Sequence, residues 1–359
     1  MIFGNKVLDK QVSENTSTLR QSGKGAWLTR DLRGMVSQLR KKSLMLNFPE
    51  QKELNTRLYI EETDAPLPET LNPNTRYALF KTIATGGKSL IKSCRDLHLG
   101  RTVCYKTLRP EFQKDPIENK RLLREARISA LLQHPNTIPT HEIGRDNRGN
   151  YYFTMKLVHG YTLREVLNYR ERYDLSQLMD VIIQVGNALA YAHSVGVLHR
   201  DIKPDNILIG PYGEVLLLDW GLAKVWHKNP PLLENEPLVN EIETGIGMTG
   251  QAKLQGTVMY MSPEQIDRST EISVQSDIYN LGAVLYEVLT GVTPFQGEIV
   301  RVLLDEIRSQ TPDSPKSLEG SLANEVLADL TMRCLSKNPE DRPQSVNEIV
   351  RTLKENVVS

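Results

Sequence analysis

The chain has 359 residues, 39% of them hydrophobic and 25% charged, and its 44 Lys and Arg are balanced by 44 Asp and Glu. This supports a folded protein with a sizeable core and excludes disorder throughout, and the zero net charge argues against a nucleic-acid binder, whose phosphate affinity needs excess cations. Cys94, Cys104 and Cys334 fit neither a disulfide framework nor a zinc site, and no run reaches the ~18 apolar residues of a membrane span, so a soluble, cytoplasmic protein is expected.

Residues 1–69 read as a polar N-terminal extension, partly helical or disordered. It is basic at Arg20, Lys24, Arg30, Arg33, Arg40, Lys41 and Lys42, then acidic at Glu50, Glu53, Glu61, Glu62, Asp64 and Glu69. Leu28, Leu32, Met35, Val36 and Leu39 form an apolar helical stripe, weakened by Gly34. Its surface to meet is the chain's own folded domain, a docking partner or an acidic membrane face. The proline-bearing stretch Asp64–Pro73 reads as a linker.

From Arg76 the pattern becomes globular. Strands are predicted over 77–83 and 89–95 around Gly86 and Gly87, then over Thr102–Leu108 after a turn at Asp96–Gly100. A helix over 118–133 carries Leu122, Ala126 and Ala130 on one face, and strands follow at 138–144 and 151–157. Beyond 159 the chain reads as mostly helical. Leu178, Val181, Ile182, Val185, Leu189 and Ala192 fall on one stripe, and Ile278, Leu281, Leu285 and Val288 on another. Ser345 and Glu348 form a capping-box pair before the stripe Val346, Ile349, Val350 and Leu353. A strand-rich half followed by a helix-rich half implies an α+β chain of two lobes around a cleft.

The most informative stretch is His199-Arg-Asp-Ile-Lys-Pro-Asp-Asn206, a loop because Pro204 forbids regular helix. Ile207–Ile209, a Gly-Pro-Tyr-Gly turn and Val215–Leu218 make a hairpin ending in Asp219-Trp220-Gly221. Such a hairpin returns Asp219 to Asn206, and an amide oxygen beside a carboxylate is a hard ligand pair suited to Mg²⁺, with Mn²⁺ as a substitute. Asp201 is left to orient a hydroxyl, and Lys203 to reach a transferred phosphoryl group.

With these residues the chain resembles the eukaryotic-like serine/threonine protein kinases, over residues 76–355. Val103-Cys-Tyr-Lys106 stands where the family has V-A-I-K, and Glu125 is on the following helix. Asp219-Trp-Gly221 stands for D-F-G, Gly256-Thr257 through Ser262-Pro-Glu264 for the end of the activation segment, and Arg342 for the late arginine that pairs with Glu264. Phrases such as Arg124-Glu-Ala126 and Met261-Ser-Pro-Glu-Gln265 resemble the bacterial branch. The resemblance implies a bilobal fold: an antiparallel-sheet lobe at 76–158 and a helical lobe at 159–355. It further implies ATP and Mg²⁺ as cofactors and proteins as substrates.

By the same resemblance Lys106, held by Glu125, clamps the α- and β-phosphates, Asn206 and Asp219 hold the metal, and Asp201 serves as catalytic base with Lys203 beside it. Thr257 is expected to bond Asp201, and Asp277 the catalytic-loop backbone. The adenine site is assigned to Ile83, Ile91, Cys104, Met155, Lys156, Val158 and Leu208, with Gly86 and Gly87 over the phosphates. His199 and Trp220 are expected to be packing residues.

The glycine-rich loop departs from the family pattern: Ala84 and Ser89 replace two glycines, which favours the alternative of a nucleotide-binding pseudokinase scaffold. The long segment from Asp219 to Glu264 carries Thr249 and Thr244, candidate autophosphorylation sites whose phosphate Arg200 would bind.

Overall fold

The computed structural model describes residues 76–225, 257–267, 272–297 and 299–357; the N-terminal extension and Thr244 and Thr249 lie outside them. The first lobe is a five-stranded antiparallel sheet in the order β1-β2-β3-β5-β4. Its strands are β1 (Tyr77–Thr85), β2 (Ser89–Asp96), β3 (Arg101–Leu108), β4 (Thr140–Arg145) and β5 (Tyr151–Lys156), with helix α1 (Pro116–Leu131) between β3 and β4. Alternation along the strands divides the side chains between two faces. Cys94, Val103, Tyr105 and Tyr152 gather on one face, where the Tyr105 and Tyr152 rings stack at 4.4 Å. Ile91, Cys104, Phe153 and Met155 gather on the other, against Leu122 and Ala126 of α1.

Helix α1 begins where Asp115 accepts the backbone N–H of Ile117 at 2.8 Å, with Pro116 preorganising the first turn. Its buried stripe runs through Glu118, Leu122, Glu125, Ala126 and Ser129. The expected face ends early, because Ala130 is exposed. By its last turn the helix has passed the sheet, and Ile128 and Leu132 pack into the core of the second lobe instead.

The second lobe is built on two long helices, α3 (Leu175–Ser194) and α5 (Val274–Thr290); the short α2 (Leu163–Leu167) and α4 (Pro263–Asp267) precede them. Around these pack α6 (Val300–Ser309), α7 (Glu325–Cys334) and α8 (Val346–Val357). The predicted stripe of α3 is buried throughout. Gly186 lets α8 approach: a Cβ there would stand 2.5 Å from the Val350 side chain. Helix α5 is buried from Ser276 to Thr290, so it is the centre of the lobe rather than an amphipathic surface helix. At α8 the capping box is only half formed. Ser345 Oγ accepts from Glu348 N at 3.4 Å, but the Glu348 carboxylate takes the N–H of Gln344, 3.2 Å away, and not that of Ser345.

Short strands carry the loops of the cleft: β6 (Tyr161–Thr162), β8 (Ile207–Ile209) and β9 (Val215–Leu217) form one sheet, and β7 (Val197–Leu198) pairs with β10 (Lys224–Val225). Asn136 fixes the β8–β9 hairpin to the loop before β4. Its side chain donates to Val215 O and its carbonyl accepts from Leu217 N, both at 2.9 Å. Among the described residues no helix is long and apolar enough to cross a membrane.

Candidate active site

The loop His199–Asn206 hangs from one buried carboxylate. Asp277, in the first turn of α5, accepts from His199 N at 2.9 Å and Arg200 N at 2.8 Å, and meets His193 Nε2 at 2.8 Å. These bonds hold Arg200 in the left-handed region, φ 70°, a costly conformation for a residue with a Cβ. His199 Nδ1 accepts the N–H of Asp201 at 3.2 Å, so its proton sits on Nε2, which donates to Leu218 O at 3.0 Å. Burial lowers its pKa, and the neutral ring packs edge-on to Trp220 with centroids 4.5 Å apart. Both residues are therefore packing groups.

Asp201 is placed by the turn that follows it. Lys203 Nζ lies 3.0 and 2.8 Å from its two carboxylate oxygens, and Asn206 Nδ2 donates to its Oδ2 at 2.9 Å and its carbonyl at 2.8 Å. Burial raises the Asp201 pKa, and the Lys203 ammonium works against that rise. Thr257 does not bond Asp201 as expected. Its hydroxyl accepts from Lys203 Nζ at 3.1 Å, so the ammonium stands between them and satisfies both.

The hairpin closes as its sequence requires. Gly213 takes φ +84° at the turn, and Leu218 N donates to Asn206 O at 2.8 Å, which delivers Asp219 to the head of the loop. Asp219 is itself left-handed (φ 62°, ψ 73°), and its side chain is 52% exposed. Its Oδ1 lies 3.8 Å from Lys106 Nζ, and Lys106 lowers its pKa. Gly221 leaves the space for this: a Cβ there would stand 3.0 Å from Asp219 Oδ1 and 3.6 Å from Glu125 Oε2.

Lys106 on β3 pairs with Glu125 on α1 at 2.5 Å, both nearly buried. Burial alone would lower the lysine pKa, but Glu125 and then Asp219 outweigh it and hold the ammonium charged. The cleft thus brings together two ammonium groups, Lys106 and Lys203, and the oxygen groups of Asp201, Asn206 and Asp219.

These residues fit a Mg²⁺ ion. Asn206 commits its amide N–H groups to Asp201, which leaves Oδ1 as an acceptor, and the Asp219 carboxylate is open and ionised. No cluster of three or more His, Cys, Asp or Glu suited to a metal occurs among the described residues, so the site that would hold the ion is the pair Asn206 and Asp219.

Ile91, Cys104, Met155, Val158 and Leu208 form one buried cluster beside this site. Ile83 does not join it. It sits at a register shift between the paired Thr82 and Ala84, and Ala84 packs against the cluster in its place. Lys156 commits its backbone N–H to Pro139 O at 2.9 Å.

The altered glycine-rich loop is tied down at several points. Gly86 N donates to Ser89 O at 2.8 Å, Arg109 Nη1 to Gly87 O at 3.1 Å, and Lys88 Nζ meets Glu118 at 2.6 Å. Gly86 leaves room for the Ser89 hydroxyl: a Cβ there would lie 2.9 Å from Ser89 Oγ, so the serine would have to turn aside.

Cys104 is inert as a nucleophile: burial pushes its thiol up to about 11, and pushes Cys94 and Cys334 up to about 12. Iodoacetamide at pH 8 is expected to label none of the three before unfolding and all three after it. Native-state labelling of Cys104, read by mass spectrometry, would show an open roof to the pocket.

Several partners in this site escaped the sequence reading: His193, Gln265 and the cluster of Arg164, Tyr260 and Glu287. In that cluster the Arg164 guanidinium meets both the Glu287 carboxylate and the Tyr260 hydroxyl, and Tyr260 donates to Glu287 at 2.5 Å. No local signal marks these residues, because each pairs with a group far away in the chain.

A protein kinase domain family model matches residues 77–353. The serine/threonine-protein kinase PknD of Protochlamydia amoebophila is 36% identical over 297 residues, covering 77% of this chain and 29% of the relative. PknA of Mycobacterium tuberculosis is 35% identical over 275 residues, covering 75% and 58%. PknD of Chlamydia trachomatis is 33% identical over 298 residues, covering 78% and 31%. The matched region therefore spans between 29% and 58% of the length of these relatives.

Proposed function

Since this chain belongs to the protein kinase family, we propose that it transfers the γ-phosphoryl group of ATP to serine or threonine hydroxyls of protein substrates. The observation that carries this reading is the joint geometry of two pairs, Lys106 with Glu125 at 2.5 Å and Asp201 with Lys203 at 2.8 Å, with Asp219 reaching back to Lys106. A cleft of this kind acts by positioning and electrostatics.

Lys106 stays charged where the α- and β-phosphates would lie. Asp201, whose ionised form Lys203 favours against the effect of burial, accepts a hydrogen bond from the incoming hydroxyl and takes its proton as the new oxygen–phosphorus bond forms, while the bond from the γ-phosphorus to the β–γ bridging oxygen breaks and ADP leaves. Lys203 then faces the transferred group with its remaining charge. Asn206 Oδ1 and Asp219 would hold Mg²⁺, which neutralises phosphate charge. The same chemistry extends to the chain's own segment, with Thr249 and Thr244 as the acceptors proposed for autophosphorylation.

Ala84 and Ser89 favour a second reading, a nucleotide-binding scaffold without turnover. One experiment separates the two: incubation of the full chain with Mg·ATP labelled at the γ-phosphate and a generic protein acceptor, followed by phosphosite mapping. Wild type is expected to label the acceptor and Thr249 or Thr244, with Lys106→Met and Asp201→Asn reduced ~100-fold or more. Equal, background labelling in all three proteins would leave the scaffold reading standing.

A further inference from the structure

Gln265, in the short helix α4, makes contacts that the transfer mechanism does not use. Its side chain is buried, and its hydrogen bonds run to backbone or to buried groups. Nε2 donates to the carbonyl of Arg200 at 2.8 Å, across 65 residues of sequence. Oε1 accepts from Ser262 N at 2.9 Å, from Ser262 Oγ at 3.2 Å and from Asn280 Nδ2 at 2.8 Å. Asn280 also donates to the carbonyl of Tyr260. One amide thus joins three elements: the end of the activation segment, helix α5 and the catalytic loop.

The point at which it meets the catalytic loop is the strained one. Arg200 has φ 70°, and its peptide N–H is held by Asp277 Oδ1 at 2.8 Å. With Gln265 on the carbonyl, both polar groups of this left-handed residue are clamped, one by a carboxylate and one by an amide. The next residue is Asp201. Backbone strain persists only where its surroundings over-determine it, and releasing one clamp lets Arg200 relax and turn the Asp201 carboxylate.

We propose that Gln265 is a positioning residue for phosphoryl transfer: its amide N–H fixes the Arg200 carbonyl and thereby aims Asp201. The bond makes the aim of Asp201 depend on the seating of residues 257–267. That stretch is anchored at one end by Thr257 on Lys203 and at the other by Glu264 on Arg342. The inference rests on the transfer activity proposed above.

Two substitutions test it in the full chain. Gln265→Met keeps the volume and removes the donor at every pH. Gln265→Glu keeps an acceptor for Ser262 and Asn280, and donates to Arg200 O only when its carboxyl is protonated. Gln265→Met is expected to lower kcat about tenfold, with KM for ATP and the Kd of a non-hydrolysable ATP analogue unchanged. Gln265→Glu is expected to show a similar loss at pH 8 and to recover towards wild type as the pH falls to 6. A residue that only supported the fold would change the melting temperature without this pH-dependent recovery.

If Gln265→Met does not fold, the pH profile of Gln265→Glu decides by itself. Wild-type kcat in Gln265→Met, or a Gln265→Glu profile parallel to that of wild type, would overturn the inference and leave the transfer reading intact. An inactive wild type would overturn both.

Discussion

Replacing Arg342 with Met is expected to remove about 3–5 kcal/mol of folding stability at neutral pH, enough to unfold a domain of ordinary margin. The Arg342 side chain is fully buried, and its fork grips Glu264, with Nη1 2.7 Å from Oε1 and Nη2 3.0 Å from Oε2. It also donates to the carbonyls of Ser336 and Gln275 at 2.8 Å and of Lys337 at 3.1 Å. Methionine fills most of the space and supplies none of these donors, so a buried carboxylate loses its counter-charge. Ser276 Oγ, 2.8 Å from Glu264, is then the main donor left to it.

The sign of the pH dependence follows from Glu264. Burial by itself would raise its pKa, and the Arg342 fork reverses that, so the folded protein holds it below the ordinary glutamate value of 4.5. A carboxyl with a depressed pKa contributes stability above its unfolded pKa and loses it as the pH falls through the folded one. Without Arg342 burial prevails, the folded pKa rises above 4.5, and the carboxylate opposes folding increasingly as the pH climbs past that value. Urea unfolding at several pH values should therefore show a deficit of Arg342→Met that is least near pH 4, where the loss of the bonds to the three carbonyls remains, and that grows towards neutrality. Adding Glu264→Leu should restore part of the loss, since no uncompensated charge remains. A deficit that is flat with pH would mean that lost packing, and not an orphaned charge, carries the effect.

This pair was legible in the sequence only through resemblance, and it marks the boundary of what the chain reveals by itself. The hairpin from Asn206 to Asp219 could be argued from local chemistry, because its turn and both strands lie within a few residues of one another, and Leu218 N does meet Asn206 O at 2.8 Å. The stripe of α3 could be read because one helix face is one periodicity. Ala130 shares the helix face of Leu122 and Ala126 yet is exposed, for a reason periodicity does not encode: the face continues but the sheet beneath it does not. Ile83 stays outside the buried cluster that Ala84 joins, because register shifts within β1 change which residue packs against it, and periodicity does not encode such shifts.

The bonds that set the site's fine geometry were hidden by distance along the chain. His193 meets Asp277 across 84 residues, Arg164 meets Glu287 across 123, and Gln265 meets Arg200 across 65. Each is an ordinary polar residue until folding supplies its partner. Thr257 shows the same limit at close range, where its neighbourhood was foreseen and its partner was not. The bond goes to Lys203 and not to Asp201 because an ammonium has three donors, two of which the Asp201 oxygens take.

Lys203→Met is the second substitution with a large expected effect, a fall in kcat of about 10²–10³-fold at pH 7. Two losses combine. The transferred phosphoryl group loses a cation, and Asp201 loses the group that opposes the effect of burial on its pKa. The Asp201 pKa is already raised in the intact protein. With the Lys203 charge and hydrogen bonds removed it must rise further, so a larger fraction of the base is protonated at any given pH. The acid limb of kcat/KM should therefore move to higher pH in Lys203→Met, and part of the lost rate should return as the pH is raised. Lys203→Arg distinguishes the two contributions: a guanidinium restores the charge beside Asp201 and should return the acid limb towards its wild-type position, whereas its larger planar head does not reproduce the compact ammonium that faces the transferred group, so kcat should stay below wild type. An acid limb that stays in place in Lys203→Met would mean that Asp201 is not the group titrating in the rate, and the assignment of the base would have to move to another residue of the cleft.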